Sequence, residues 1–516
     1  MSVNGAQYLL PDGLRLGAAR EALAAQTGLL EDGSRSRVER VFYDTFDGRL
    51  HAAGLALVQT DGRLSLMGID AYGERASAPF DRAPERLLAR DLPAGRLHDQ
   101  LAPLLDVRAL TPIARTRSQL LGLRMLNGDD KTVVRLVCES CTAQGPGRGL
   151  TKLHSRVHVL PVRGYEAAAE RLKEQLEKKV GLVRAPAPLH DEAVAIAGGI
   201  PGGLPPTLDL PLRPTQRADA AAVQVLQRLL STIEVNLPGT LGDVDTEFLH
   251  DLRVAVRRTR ALQRELRGVF APEPLARFRA GFRWLQEITG PTRDLDVYLL
   301  DFDRFREVLP GSLGGDLDPL AEVLTDERKR AQRKMARALC SDRAATLLAD
   351  WSAYLEELVQ SPVDDRPDAR TPIGELAGDR IQKVYRQMLK RGRAVEQASP
   401  AEALHDLRKQ GKELRYLLEF FAVLYPDDVV RPMVKRLKSL QDVLGSFQDS
   451  EVQAGMLLAH REAVGARENG AAALMAMGLL VDRLERDQLA ARAEFGKCFA
   501  SFAASRQREL VEATFG

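Results

Sequence analysis

Cysteine is scarce in this chain, with four in 516 residues. That is too few for a disulfide framework and points to a reducing compartment. Aromatic residues make up only 5%, which is thin for a β-sandwich and directs attention to helices. Charge of one sign is also missing. The 73 Lys and Arg are nearly cancelled by 71 Asp and Glu, for a net +2, so the chain is not a bulk polycation that coats DNA or membranes. Any anion site must come from local arrangement. The longest apolar run, AAALMAMGLLV at 471–481, falls well short of the roughly 20 residues that span a bilayer. The start MSVNGAQYLLPDGLRL lacks the basic-then-apolar order of a secretion signal. The expectation is a soluble, cytoplasmic protein without a membrane partner.

What is present is ample apolar residue content, 45%, enough for two to four domains at roughly 150 residues each. Between Ala185 and Pro214 lie seven prolines and a GGIPGG run, a composition that reads as an interdomain linker at 185–214. Residues 1–200 carry 27 basic and 24 acidic side chains, leaving 46 and 47 beyond, so neither half is a basic domain. Before the linker, RVERVFYDTF, GLALVQT, GRLSLM, TVVRLVCES and KLHSRVHVLPV alternate with Gly and Asp turns, as antiparallel strands do. Helical spacing is confined there to 14–26, 82–105 and 165–180. The expectation is an α+β domain over 1–184. Beyond the linker the period is 3.6 for some 300 residues, and 215–516 reads as all-α.

The helical part repeats itself. LHDLR occurs at 249–253 and again at 404–408, an offset of 155 that also carries Arg260 onto Arg415, Leu285 and Gln286 onto Leu440 and Gln441, Gly290 onto Gly445 and Asp294 onto Asp449. The simplest architecture is two pseudo-symmetric four-helix bundles, about 215–365 and 371–516. On the first LHDLR helix His250, Arg253, Arg257, Arg260, Arg264 and Arg267 share an arc of about 100°, with Leu252, Val256, Thr259, Leu266 and Phe270 opposite. His405, Arg408, Lys412 and Arg415 occupy the same arc in the second copy. A solvated face with Asp251, Glu265, Asp406 and Glu413 as partners is the ordinary reading of such a stripe. Against it, the i+4 neighbours of the stripe are mostly basic, Glu419 being the exception, and like charges at that spacing repel unless an external anion holds them. Arg283 and Lys438, matched across the repeat, and Lys383 with Arg380 and Lys390 are further basic candidates, as are Arg330, Arg333, Lys334 and Arg337. Asp294 and Asp449 are expected to orient basic side chains.

With LHDLRVAVRRTRALQREL and LHDLRKQGKELRYLLEFF, the region 215–510 resembles the conserved histidine α-helical domain, or CHAD, family. The resemblance implies a duplicated helical domain whose central basic pocket binds inorganic polyphosphate. It places His250, Arg253, Arg257, Arg260, His405, Arg408, Lys412 and Arg415 on the pocket wall. Such domains often follow a CYTH domain of the triphosphate tunnel family. Residues 1–184 resemble one weakly, through FYDTFDGRLHAAGLAL and LTPIARTRSQL. That family's opening Glu-x-Glu-x-Lys strand is replaced by AQYLLPDGL, its Arg-x-Arg by Val58, Gln59 and Thr60, and its late alternating glutamates by KLHSRVHV. Only Arg115 and Arg117 keep the expected charge, so a divalent ion has too few oxygen ligands to clamp a triphosphate. The domain reads as degenerate and non-catalytic.

Cys138, Cys141, His154 and His158 have the C-x2-C-x12-H-x3-H spacing of a zinc finger. The intervening loop lacks the finger's small apolar core. A β-hairpin turning at GPGRG fits better, and residues three apart on a strand face opposite ways. Cys340 and Cys498 read as packed helix residues, and His51, His98, His190 and His460 have no ligand-like neighbours in sequence. No catalytic residue, metal or cofactor is therefore assigned. The leading reading is a polyphosphate-binding scaffold or granule-associated protein. A metal-dependent triphosphatase in the first domain and nucleic-acid binding by the stripe are the alternatives.

Overall fold

The computed structural model of the chain describes residues 5–69, 73–81, 84–145, 149–203, 210–396 and 398–515, without the side chains of 31–33 and 312. Two compact units divide after residue 207. Among the described residues no helix is long and apolar enough to cross a membrane.

The first unit runs β1 (Ala6–Leu9), α1 (Leu16–Thr27), β2 (Leu30–Thr45), α2 (Arg49–Ala52), β3 (Leu55–Thr60), β4 (Arg63–Gly68), β5 (Glu74–Pro79), α3 (Arg96–Leu105), β6 (Leu110–Leu126), β7 (Thr132–Gln144), β8 (Leu150–Lys152), β9 (Arg156–Pro161), α4 (Glu166–Lys178), β10 (Val183–Arg184) and α5 (Leu189–Ile196). The strands form one antiparallel sheet in the order β10-β1-β9-β7-β6-β2-β3-β4-β5, with β8 on β7. This curled antiparallel sheet is consistent with the CYTH-like fold expected of it. The period of two sorts its side chains between faces. Leu123, Leu136, Cys138 and Val157 pack under α1 and α4, whereas Ala114, Cys141 and Ala143 pack under α5. The helical spacing at 82–105 yields a helix only from Arg96. Leu92-Pro93-Ala94-Gly95 interrupts it, Gly95 standing at φ 132°, and 82–83 lie outside the described residues.

The segment expected to be a linker is partly folded. Leu189, Ala193 and Val194 of α5 are buried on the sheet beside Phe42 and Val58. Each full burial of such a side chain contributes about 1.5–3 kcal/mol, enough to offset the local proline content. The glycine run after α5 has a packing reason. A Cβ on Gly48 would lie 2.1 Å from the Gly202 carbonyl, and one on Gly203 2.6 Å from the Phe46 carbonyl, both at positive φ. The chain thus doubles back tightly over the start of α2 and brings His190 and Asp191 onto His51, although sequence had left both histidines without ligand-like neighbours. Residues 204–209 of the same segment lie outside the described residues.

The second unit is helical: α6 (Ala218–Leu241), α7 (Thr246–Glu265), α8 (Pro272–Leu300), α9 (Phe302–Glu307), α10 (Asp318–Leu339), α11 (Asp342–Leu358), α12 (Ile373–Arg393), α13 (Ala401–Phe421), α14 (Asp427–Gly465), α15 (Gly470–Phe502) and α16 (Ser505–Phe515). The starts of α6, α7 and α8 fall 155 residues before those of α12, α13 and α14. The copies diverge later. Helix α8 breaks at Asp301, whereas α14 continues for 39 residues.

Equivalent residues meet at a pseudo-dyad. Arg217 and Pro372, which are 155 apart, form an antiparallel bridge. The Ala218 N–H donates to the Thr371 carbonyl at 2.9 Å, and the equivalent Ile373 N–H donates to the Gln216 carbonyl at 2.8 Å. Asp219 to Ala369 and Gly374 to Pro214 repeat the exchange. Helix α6 packs on α12 and α7 on α13. The halves share one core, in which Leu252, Leu262, Phe282 and Trp351 join Leu407, Leu417, Leu440 and Phe502. A smaller cluster around Phe302, Leu320, Leu457 and Leu480 lies where α9 and α10 meet α14 and α15.

Candidate functional site

Helix α7 starts sharply because Asp245 caps it, its carboxylate accepting from the Glu247 and Phe248 N–H groups at 2.9 and 3.2 Å. Gly239 lets α6 approach, since a Cβ there would lie 2.3 Å from the Phe248 ring. Leu249, Leu252, Val256, Thr259 and Leu262 are buried as the periodicity predicts, and the basic arc lies on the other side. The stripe is shorter than its spacing implied. Helix α7 ends at Glu265, and Arg267 falls in a following 3₁₀ turn, Arg267–Val269.

Two ion pairs join α7 to α13. Arg258 Nη2 lies 2.6 Å from Glu419 Oε2, and Arg264 Nη2 lies 3.0 Å from Glu413 Oε1. Positions 258 and 413 are equivalent across the dyad, as are 264 and 419. One copy thus supplies both arginines and the other both glutamates, so that each dyad-related contact becomes opposite in sign. The isolated Glu419 of the sequence is explained by this. It holds Arg258, and it also takes Arg415 Nε at 2.8 Å. Arg264 additionally meets Glu265 at 2.8 Å. Acids on the facing helix, invisible to an i+4 count, therefore neutralise this end of both ladders.

The middle of the ladders is different. Arg253 is buried, its Nη1 donating to the Gln286 carbonyl at 2.9 Å and to Thr289 Oγ1 at 2.8 Å on α8. Burial, with Arg257 and Arg293 adding to it and Asp294 opposing, lowers its pKa to about 10. Arg260 donates to Gln286 Oε1 and is likewise pushed down by burial and then by Arg283 and Arg264. Lys412 is half-buried, and its ammonium is lowered to about 8 by burial first, then by Arg408 and Arg257, with Asp449 opposing. Arg257 and Lys412 are equivalent residues, 155 apart. Among the described residues neither forms an ion pair, and their mutual repulsion places like charges beside the dyad.

The remaining candidates surround this pair. Arg408 Nη2 lies 3.1 Å from Asp449. His405 Nδ1 meets Gln448 Oε1, and His250 is half-buried on α7. Asp294 and Asp449, also dyad equivalents, both face the Tyr298 hydroxyl, whose pKa is raised by burial and by these two carboxylates. Asp449 pairs with Arg408, and Asp294 acts on Arg253 and Arg257. Arg283 on α8, Lys383 on α12 and Lys438 on α14 are exposed, as are Arg330, Arg333, Lys334 and Arg337 on α10. Arg380 is taken by Asp368 at 3.1 Å. Sequence reasoning missed Arg293, which meets Glu247 at 3.3 Å and adds to the positive charge around Arg253.

A family model for the CHAD domain matches residues 224–458, a span that contains both LHDLR helices and the dyad between them. Residues 224–458 form a CHAD domain. Two uncharacterized proteins of Mycobacterium tuberculosis, from strains H37Rv and CDC 1551, are each 29% identical over 280 residues, covering 52% of this chain and 49% of theirs. The chain thus spans about half the length of the curated relatives it matches. Among solved structures, the CHAD domain from the plant Ricinus communis has a TM-score of 0.48 at 23% identity, covering 57% of this chain and 94% of that one. PptA from Streptomyces chartreusis has a TM-score of 0.39 at 19% identity, covering 55% and 99%.

Outside the CHAD domain, the zinc-finger spacing dissolves in the sheet. Cys138 and Cys141 face different cores, and burial pushes their thiols up to about 12 and about 11. His154 Nδ1 lies 2.7 Å from Glu192, and His158 lies 2.7 Å from Glu139. Residues 146–148 of the expected GPGRG turn lie outside the described residues, although Gly145 N–H bonds the Gly149 carbonyl across it. Cys340, expected to be packed, is exposed just past the end of α10, and Cys498 is half-buried. Buried in the sheet, Glu139 is held by Arg40 at 2.6 Å. Burial pushes its carboxyl up, but the bond from His158 and the Arg40 charge outweigh that and leave it well below the usual range. It is a neutralised structural group, unlike a free metal-clamping acid. Arg115 and Arg117 pair at the surface with Glu85 and Glu39.

Proposed function

We propose that the CHAD domain binds inorganic polyphosphate along the paired faces of α7 and α13, as a scaffold or granule-associated protein. The observation that carries this reading is the pair Arg257 and Lys412, two like charges beside a pseudo-dyad that form no ion pair among the described residues; Asp294 acts on Arg257 and Asp449 on Lys412, yet burial and the neighbouring arginines still lower the Lys412 pKa to about 8. Placing the pair so costs free energy, which a bound anion returns by supplying further counter-charge. Arg253, Arg260, Arg408, His250 and His405 flank the pair and are suited to successive phosphates. Arg264 serves chiefly to join the helices, and Arg415 is held by Glu419 of its own helix. Arg283, Lys383 and Lys438 are exposed contacts farther along a polymer.

Nucleic-acid binding is the less favoured reading, since bases need aromatic platforms beside the charges. Tyr416 on α13 is buried and stacked on Phe420. Triphosphate hydrolysis in the first unit is disfavoured by the engagement of Glu139 with Arg40 and His158.

The test is binding of polyphosphate against single- and double-stranded DNA at matched salt, with the parent and with an Arg257→Glu/Lys412→Glu double variant. The double variant should lose tenfold or more in polyphosphate affinity and show a shallower salt dependence, because fewer counterions are released. Parent-like affinity with an unchanged salt slope would refute the proposal.

A further inference from the structure

We propose that His51, His190 and Asp191 form a binding site for a borderline divalent cation, zinc being the best fit, which clips α5 to α2 in the first unit. None of the three lies in the segments where triphosphate tunnel enzymes carry their metal-binding acids, and none belongs to the Cys138/His158 spacing. The site was hidden from sequence because Asp191 is 140 residues from His51.

The geometry carries the assignment. Asp191 Oδ1 lies 3.2 Å from His51 Nε2 and 2.8 Å from His190 Nδ1. One ligand atom from each residue falls within 4.8 Å of the others. In a tetrahedral zinc site with bonds of about 2.0–2.1 Å, neighbouring ligand atoms stand about 3.3 Å apart. The three groups therefore need only small side-chain rotations to share one ion. Two imidazole nitrogens and one carboxylate oxygen suit zinc, whereas magnesium and calcium demand sets built from oxygen. Three protein ligands leave a fourth position for water. His51 and Asp191 retain 28% and 19% of their side-chain exposure, so solvent can reach it.

The surroundings pre-position the ligands. His190 is buried and meets Phe42 edge-on at 5.4 Å. Its ring lies 5.9 Å from that of His51. Asp44 fixes the other side, accepting from the backbone N–H groups of Leu50 at 2.9 Å and His51 at 3.0 Å. Gly202 lies against His51 Nδ1, which a Cβ there would approach to 3.0 Å, while Nε2 is the nitrogen beside Asp191. Such outer contacts orient metal-binding imidazoles and tune their affinity.

The experiment uses the full-length chain, stripped with a chelator and titrated with zinc chloride against a chromophoric competitor. One zinc should bind per chain, and His51→Gln and Asp191→Asn should each weaken it at least tenfold. Cys138→Ser should leave it unchanged. Zinc should raise the melting temperature of the first unit in the parent and not in the two variants, since a ligand bound only to the folded state stabilises it. His51 and Asp191 are both partly exposed, and circular dichroism of each variant without metal checks that it folds. Cobalt in place of zinc should give visible bands of four-coordinate intensity that Asp191→Asn removes. No bound zinc in the parent, or unchanged affinity in both folded variants, would reduce the cluster to a hydrogen-bonded histidine–aspartate group and overturn the proposal. Failure here would leave the polyphosphate reading untouched, since that rests on the other unit.

Discussion

Lys412 offers a sharp test of the dyad site, because its charge depends on whether an anion is present. Its pKa stands at about 8 instead of the ordinary 10.5, a difference on the order of 3 kcal/mol. Burial contributes most, followed by Arg408 and Arg257. The sign follows from linkage: a cation whose folded pKa is depressed binds fewer protons folded than unfolded, so the empty protein gains stability as pH rises from about 8 to about 10.5. A phosphate seated between Arg257 and Lys412 restores the proton's favourable environment. Binding above pH 8 should therefore take up close to one proton, and affinity should fall by up to roughly tenfold per pH unit across that window. Calorimetric titration with polyphosphate at pH 8.8, in two buffers of different ionisation heat, reads the uptake directly. Lys412→Arg should keep binding and abolish the uptake at pH 8.8, since arginine holds its proton well above the pH at which lysine loses it. Uptake that persists in Lys412→Arg, or affinity that is flat between pH 7.5 and 9.5 in the parent, would refute the reasoning.

Asp449→Asn should tighten polyphosphate binding several-fold, about 0.5–1 kcal/mol, because it frees Arg408 from a competing carboxylate; fluorescence competition at fixed salt measures this, and weaker binding would make Asp449 a positioning group the site needs. A double-mutant cycle of Arg258→Met and Glu419→Gln, followed by urea unfolding, should give a coupling of about 1 kcal/mol for the half-buried pair across the dyad; a coupling near zero would mean that this pair does not help to hold α7 to α13. The full chain should release no phosphate from triphosphate or polyphosphate with magnesium or manganese. Metal-dependent release that is lost on Glu139→Gln would show that the buried glutamate works as a catalytic acid after all.

Much of this molecule was legible from local pattern. Alternation and 3.6-residue spacing depend only on which side of a strand or helix a residue occupies, so the antiparallel first unit, the helical second unit and the basic arc on α7 followed from sequence. The repeat at 155 residues likewise announced the duplication. Local pattern failed where partners came from afar. Proline and glycine content described the backbone of 185–214, but docking of Leu189 and Val194 on the sheet decided that α5 would form there. Counting i+4 neighbours found few acids for Arg264, yet Glu413 reaches it from the facing helix. Only the tertiary structure could show that one end of the ladder is tied by acids of the facing helix while Arg257 and Lys412 repel each other across the dyad with no ion pair of their own among the described residues. The same holds for His51, His190 and Asp191. Periodicity fixes which face a side chain occupies, and only the closing of the chain over 140 residues fixes which side chains share a place.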